Sequence, residues 1–171
     1  MLDAKLAAAF ATKAHYGQKR NDGITPYIVH PIRVGGLLAH YYPESIWLET
    51  AGYLHDIIED TGFTYQFILL WYGETVANLV ETVTKYPNRP WVIPTEPDAV
   101  RLKAADTYDN VMEFNGNFGQ FASGNLKIHQ WWKIYNQCWN VIPDEPLVKL
   151  LKARLAYLDR LVIDSRNTEA T

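Results

Sequence analysis

Apolar side chains recur at three- and four-residue intervals along most of the chain. Leu2, Leu6 and Phe10 are four residues apart, the spacing that places side chains on one face of a helix. No segment alternates apolar and polar residues over the length of a strand, so the pattern predicts an all-α fold. The predicted helices span residues 2–16, 31–41, 45–60, 64–72, 74–85, 98–114, 125–141 and 146–164.

Glycine, asparagine and proline mark the segments between these helices. Residues 17–27 contain an Asn-Asp-Gly turn and a proline, and 115–124 is rich in Gly and Asn, so both are predicted to be loops. Four of the nine prolines lie within 87–97, which excludes a regular helix there. The polar residues 165–171 are predicted to form a tail, which leaves 1–164 as one compact helical-bundle domain.

Composition narrows the class of protein. The chain has 171 residues, of which 48% are hydrophobic and 20% charged, values typical of one globular domain. A net charge of −3 argues against binding to a nucleic acid polymer, and no apolar run approaches the length of a membrane span. Cys138 is the only cysteine, which excludes intrachain disulfides and thiolate-cluster metal sites. We therefore expect a cytoplasmic protein with a small-molecule partner and no signal peptide.

Histidine and carboxylate residues are concentrated in residues 55–60, which read His-Asp-Ile-Ile-Glu-Asp. On a helix, His55 and Glu59 would share a face, as would Asp56 and Asp60. Three carboxylates this close repel one another unless solvent or a cation compensates, and a bound divalent ion would remove that penalty. A solvated acidic helix end is the alternative interpretation.

Further polar residues lie elsewhere in the chain. His30 falls between a predicted turn and a helix start, and Asp106 lies among small apolar residues, where an unpaired carboxylate is costly to bury. Asn110 is one helical turn after Asp106. Two imidazoles and two carboxylates together form a mixed nitrogen and oxygen site that suits Mn²⁺, Fe²⁺, Co²⁺ or Zn²⁺. Such an ion activates water, and Glu59 with Asp60 could orient or deprotonate it.

Short polar motifs occur in order at residues 14–20, 23–31, 54–61, 80–84 and 103–110. In this order they resemble the HD phosphohydrolase superfamily, and more narrowly the hydrolase domains of RelA/SpoT-type proteins and the stand-alone small alarmone hydrolases. The resemblance implies an all-helical phosphohydrolase of a purine nucleotide with one divalent ion. Mn²⁺ is favoured over Zn²⁺, Co²⁺ and Fe²⁺, and additional Mg²⁺ could arrive with the substrate phosphates.

The same resemblance implies a role for individual residues. The implied metal ligands are His30, His55, Asp56 and Asp106. The implied catalytic acidic pair is Glu59 and Asp60. The residues expected near the substrate are Arg20, Asn21, Ile24, Lys103, Asn110, Lys127 and Trp131. A core tryptophan with a surface lysine is the alternative interpretation of the last two.

Three features differ from the alarmone hydrolase pattern. Asn21 stands where a second basic residue is usual, Ile24 is apolar in the loop expected to meet the base, and 85–106 is short and proline-rich. We favour (p)ppGpp, cleaved at its 3′-pyrophosphate. The alternative substrate is a dNTP, cleaved to triphosphate as in viral dATP-type enzymes, because a shortened pocket suits phosphates at one end. Remaining hypotheses are a non-catalytic nucleotide sensor and a helical interaction protein. Trp131, Trp132 and Trp139 are candidates for a homo-oligomer interface, although core packing is the favoured interpretation of these side chains.

Overall fold

Helices form nearly all the regular structure within residues 3–114 and 124–169, the parts of the chain that this computed structural model describes. The all-α prediction is confirmed there, and β structure in those ranges is limited to one isolated antiparallel bridge between Lys19 and Pro26. The helices are α1 (Ala4–Ala14), α2 (Val29–Tyr41), α3 (Ile46–Leu54), α4 (Ile57–Asp60), α5 (Tyr65–Tyr72), α6 (Glu74–Val83), α7 (Pro97–Glu113), α8 (Gly124–Val141) and α9 (Pro146–Glu169).

Side-chain caps and a proline determine where several helices begin. Asp3 accepts two amide hydrogen bonds from the first turn of α1, and Thr64 caps α5. Pro97 occupies the first turn of α7, while the Glu96 carboxylate accepts an amide hydrogen bond of 3.0 Å from the same turn. These local signals are visible in the sequence, which is why most predicted helix starts are correct within a few residues.

Helix α7 packs against α2, α3, α6, α8 and α9, so it lies inside the fold. Helix α3 packs against α1, α2 and α6 as well as α7. The core between them is filled by fully buried apolar side chains, among them Leu38, Leu48, Leu54, Leu102 and Leu151. Each such side chain contributes roughly 1.5–3 kcal/mol through removal from water. This packing brings the polar residues of α7 next to the ends of α2 and α3.

Two glycines allow α2 and α3 to approach closely. A Cβ atom added to Gly52 would lie 2.7 Å from the Cα of Gly35, and one added to Gly35 would lie 2.3 Å from the Tyr53 ring. Neither position can therefore hold a side chain unless the neighbouring atoms move. His30 precedes Gly35 by five residues and His55 follows Gly52 by three. The glycine contact consequently fixes how closely the two histidine-bearing helices approach.

We expect Gly52→Ala to lower the free energy of unfolding by about 1–3 kcal/mol, because the new methyl group must push α2 away from α3. Gly36→Ala is the matched control, since a Cβ there meets no atom within 4 Å. The control should be neutral or stabilising by up to about 1 kcal/mol, through the better helix propensity of alanine. Urea unfolding measures both variants, and equal stabilities would contradict the close contact.

The predicted single helix over 45–60 is wrong, because it is split into α3 and α4 at His55 and Asp56. Asp56 has φ −98° and ψ 0°, outside the helical region. The Nδ1 atom of His55 is bonded at 2.8 Å to the Gly52 carbonyl, an oxygen that an uninterrupted helix uses for a backbone amide. The interruption turns the side chains of His55 and Asp56 toward each other.

Several helix ends also differ from prediction, and two of these differences concern the site or the predicted tail. Helix α2 begins at Val29, which places His30 in its first turn. Helix α9 continues to Glu169, so the predicted polar tail is helical up to that residue, because 147–169 contains neither Pro nor Gly. The domain boundary at 164 stays a prediction.

Residues 1–2, 115–123 and 170–171 lie outside the described residues, and most of the predicted loop at 115–124 lies outside with them. Among the helices that are described, none combines the length and apolar character that crossing a bilayer requires.

Candidate metal centre

Four polar side chains converge where α2, α3, α4 and α7 meet. Nε2 of His30 lies 3.2 Å from Nε2 of His55, 3.2 Å from an Asp106 oxygen and 3.6 Å from an Asp56 oxygen. Nε2 of His55 lies 2.9 Å from the same Asp56 oxygen and 3.9 Å from the same Asp106 oxygen. The structure therefore brings together all four side chains that the sequence predicted as metal ligands.

The outer nitrogen of each imidazole has a partner that can only accept a hydrogen bond. Nδ1 of His30 lies 2.7 Å from a carboxylate oxygen of Asp109, and Nδ1 of His55 lies 2.8 Å from the Gly52 carbonyl. Each Nδ1 therefore carries a hydrogen, and in the neutral rings each Nε2 presents a lone pair. Two nitrogen lone pairs 3.2 Å apart, with two carboxylate oxygens beside them, repel unless protons or a cation lie among them.

The carboxylates in the cluster accept hydrogen bonds from neighbouring side chains. The Tyr27 hydroxyl donates at 2.7 Å to the Asp56 oxygen that faces the imidazoles. The Asn110 amide donates at 2.6 Å to the Asp106 oxygen that faces His30, and the Lys103 ammonium donates at 2.5 Å to the other oxygen. These bonds fix the orientation of both carboxylates, as expected of partners around a metal site.

Burial and charge have opposite effects on the ionisable groups. Burial opposes charging of His30, but hydrogen bonds to Asp106 and Asp109 outweigh it and raise its pKa to about 9. Burial also opposes ionisation of Asp56 and Asp106, yet His55 and Lys103 respectively hold the pKa of these carboxyls below the usual range. Both carboxylates are therefore ionised, and protons on the imidazoles compensate them in the absence of a metal. A cation that binds here displaces those protons, because only neutral imidazole coordinates.

The cluster lies in a cleft of about 290 Å³. Glu59 and Asp60, the predicted catalytic pair, both line it. Glu59 is partly exposed and its carboxylate accepts the backbone amide of Lys85 at 2.9 Å, which holds it at the rim rather than in the histidine cluster. Asp60 is the last residue of α4, and its carboxylate lies near the Tyr27 hydroxyl.

Cationic and aromatic side chains form another part of the cleft lining. Lys103 is buried, and the Lys103 and Lys85 ammonium groups lie 5.0 and 5.7 Å from the centre of the Trp91 ring. Arg20 donates to Asn110 at 2.8 Å and to Glu113 at 2.7 Å. Trp131 lines the same cleft. Four of the predicted substrate contacts, Arg20, Lys103, Asn110 and Trp131, are therefore found together.

Three predicted substrate contacts are not among the described residues that line the cleft: Asn21, Ile24 and Lys127. Asn21 is exposed, and Ile24 has 79% of its surface exposed in the loop before α2. Lys127 is half-buried on α8, one turn before Trp131. Contact of these three residues with a substrate stays a prediction.

Sequence reasoning missed Tyr27, Lys85, Trp91 and Asp109. Tyr27 lies three residues before His30, and Asp109 lies three residues after Asp106 on the same helix, so helical spacing could have indicated Asp109. Lys85 and Trp91 belong to the irregular segment between α6 and α7. Such a segment has no regular spacing from which to predict which way its side chains point.

The donor set fits a divalent ion. Two imidazole nitrogens and two carboxylate oxygens are the kind of ligands that borderline divalent metals prefer. The ligand atoms of His30, His55 and Asp56 all lie within 4.8 Å of one another. The fold and the site together define an all-helical protein with a buried histidine–aspartate cluster suited to such an ion. The chain belongs to the HD domain family, whose sequence profile matches residues 7–106, more than half of the chain, and this family implies a divalent metal.

Two curated relatives illustrate the sequence similarity. The chain is 38% identical over 118 residues to a guanosine-3′,5′-bis(diphosphate) 3′-pyrophosphohydrolase of Aquifex aeolicus, a match that covers 61% of this chain and 17% of that protein. It is 43% identical over 81 residues to the guanosine-3′,5′-bis(diphosphate) 3′-pyrophosphohydrolase MESH1 of Xenopus tropicalis, covering 46% of this chain and 45% of that protein. The matches thus span less than half the length of each of these relatives.

The backbone is also similar to that of a solved structure. The structure of a metazoan ortholog of SpoT, a protein that hydrolyses ppGpp, matches 92% of this chain and 93% of its own with a TM-score of 0.69. The sequence identity is 20%, so this likeness supports the fold.

Proposed function

We propose that this chain is a metal-dependent hydrolase that removes the 3′-pyrophosphate from (p)ppGpp, with the ion held by His30, His55, Asp56 and Asp106. The observation that carries the proposal is the convergence of these four side chains at the base of a cleft that also presents cationic groups. The similarity to 3′-pyrophosphohydrolases in two organisms supports the choice of substrate.

The charge of the cleft supports an anionic substrate that binds together with a metal. The lining contains the cations Arg20, Lys85 and Lys103 and the anions Asp56, Glu59, Asp60 and Asp106. When a divalent ion is bound the imidazoles are neutral, and the ion together with these four anions and three cations gives the cleft a net charge of +1. A net positive charge attracts a polyphosphate.

Each group in the cleft has a role in hydrolysis. The bound ion supplies Lewis acidity toward water and phosphoryl oxygens. Glu59 is anchored by the Lys85 amide and remains outside the histidine cluster, where its carboxylate can take a proton from the attacking water. Asp60 shares this task from the adjacent position on α4. Lys85 and Lys103 neutralise charge on the phosphoryl oxygens of the 3′-diphosphate while water adds to its inner phosphorus and the bond to the ribose 3′ oxygen breaks, which releases pyrophosphate and GDP.

The nucleoside would lie toward α8. Trp131 packs edge-on against Phe114 with ring centres 5.6 Å apart, which holds its position while the ring lines the cleft. A base can stack on this indole, and Asn110 and Arg20 lie between the base and the metal cluster to bind sugar or phosphate oxygens.

We expect the Mn²⁺-loaded protein to convert ppGpp to GDP and pyrophosphate and to leave dATP intact. Ion-exchange chromatography resolves these products, with protein stripped of metal by a chelator as the control. Release of intact triphosphate from dATP without attack on ppGpp would favour the dNTP alternative. Tight binding of ppGpp with no product under Mn²⁺, Zn²⁺, Co²⁺ or Fe²⁺ would indicate a nucleotide sensor. The same series of ions identifies the metal, for which we propose Mn²⁺.

A further inference from the structure

Asp109 lies behind the metal cluster and is not among the side chains that line the cleft. It is buried, with 3% of its surface exposed, on α7 three residues after Asp106. One carboxylate oxygen accepts from Nδ1 of His30 at 2.7 Å, and the other forms an ion pair with Arg33, whose Nε lies 3.1 Å away. Helix α7 therefore holds the His30 ring on both sides, with Asp106 at Nε2 and Asp109 at Nδ1.

We propose that Asp109 is a positioning residue that fixes the His30 ring and strengthens its bond to the divalent ion. The proposal rests on the metal centre of the proposed function. A carboxylate that accepts the Nδ1 hydrogen makes the opposite nitrogen a stronger electron donor and allows one ring orientation. His55 donates instead to the neutral carbonyl of Gly52, so the two imidazoles are unequal ligands.

Charged side chains next to Asp109 hold its carboxylate in position. The Arg33 guanidinium bridges Asp109 and Glu113, and Glu113 in turn accepts from Arg20 at 2.7 Å. Arg33 compensates the buried charge of Asp109 and prevents rotation of its carboxylate. These contacts run without a gap from His30 to Arg20, which lines the cleft.

We expect Asp109→Asn to weaken Mn²⁺ binding by about 10- to 100-fold, the usual effect of losing a carboxylate behind a metal-bound histidine. The asparagine keeps the shape and an acceptor oxygen for His30 but removes the charge. Isothermal titration with Mn²⁺ measures the affinity, and circular dichroism confirms the fold. Asp98→Asn is the matched control, because Asp98 is also on α7 and pairs with an arginine, Arg101, outside the cleft. Its Mn²⁺ affinity should equal that of the unaltered protein.

A measurement on the unaltered protein tests the proposal even if Asp109→Asn fails to fold. In the Zn²⁺-loaded protein, nitrogen–proton correlation spectra should show the Nδ1 proton of His30 further downfield than that of His55, because its acceptor is a charged carboxylate. The reverse order, or a missing Nδ1 proton on His30, would overturn the proposal.

The outcomes also separate this inference from the proposed function. If the unaltered protein binds no divalent ion, both the metal centre and the role of Asp109 fail. If the unaltered protein binds Mn²⁺ and Asp109→Asn binds it equally well, the metal centre stands and the role of Asp109 is refuted.

Discussion

Asp106→Asn is expected to remove both metal binding and turnover while leaving the fold intact. Asp106 lies 3.2 Å from Nε2 of His30 and is the contribution of α7 to the ligand cluster. Loss of a direct ligand should cost more than the roughly 100-fold upper effect of losing a supporting partner. Elemental analysis after gel filtration gives metal per chain, and pyrophosphate release from ppGpp gives turnover.

Asparagine is preferable to alanine at this position. Both changes remove the negative charge beside the buried Lys103 ammonium, but alanine would also leave that ammonium without a hydrogen-bond acceptor at this position. Asparagine keeps the size and one acceptor oxygen. Asp159→Asn is a suitable control, because Asp159 accepts a hydrogen bond from Trp132 away from the cleft. Full metal content in Asp106→Asn would show that the proposed coordination is wrong.

Glu59→Gln is expected to lower turnover by roughly 10²- to 10⁴-fold, the usual contribution of a general base. Metal content should be unchanged, because Glu59 is held at the rim by the Lys85 amide and does not touch the histidine cluster. Glutamine can still accept that amide hydrogen bond, so the local backbone should be preserved.

The split between metal content and turnover is the informative result for Glu59. Glu81→Gln is the matched control, since Glu81 has the same 30% side-chain exposure and lies outside the cleft. Turnover in the control should equal that of the unaltered protein. If Glu59→Gln lost its metal along with turnover, Glu59 would belong to the coordination sphere. If turnover persisted, another group would be the base.

Most of the fold could be predicted from the sequence, because helical periodicity and caps are local signals. The break at His55 and Asp56 could not be predicted from spacing, since His55, Asp56, Glu59 and Asp60 are compatible with one continuous helix. The His55 ring bonds to the Gly52 carbonyl three residues earlier, an oxygen that a continuous helix would pair with the Asp56 amide, and residue spacing does not distinguish these two arrangements.

The candidate site could likewise be predicted only in part. The ligand residue types and the short motifs pointed to His30, His55, Asp56 and Asp106, and the structure brings these four together. Sequence reasoning failed for side chains on irregular backbone, where residue spacing does not indicate which way a side chain points. It did not find Lys85 and Trp91, which enter the cleft from the segment after α6.

The backbones of Gly35 and Gly52 already touch, so α2 and α3 have no room to move closer together. Packed backbone resists compression, whereas long side chains can adjust. His30 and His55 lie five and three residues from this contact, so the helix backbones that carry the two rings cannot approach more closely. We therefore expect a divalent ion to bind between the imidazoles through adjustment of the side chains, with little movement of α2 and α3.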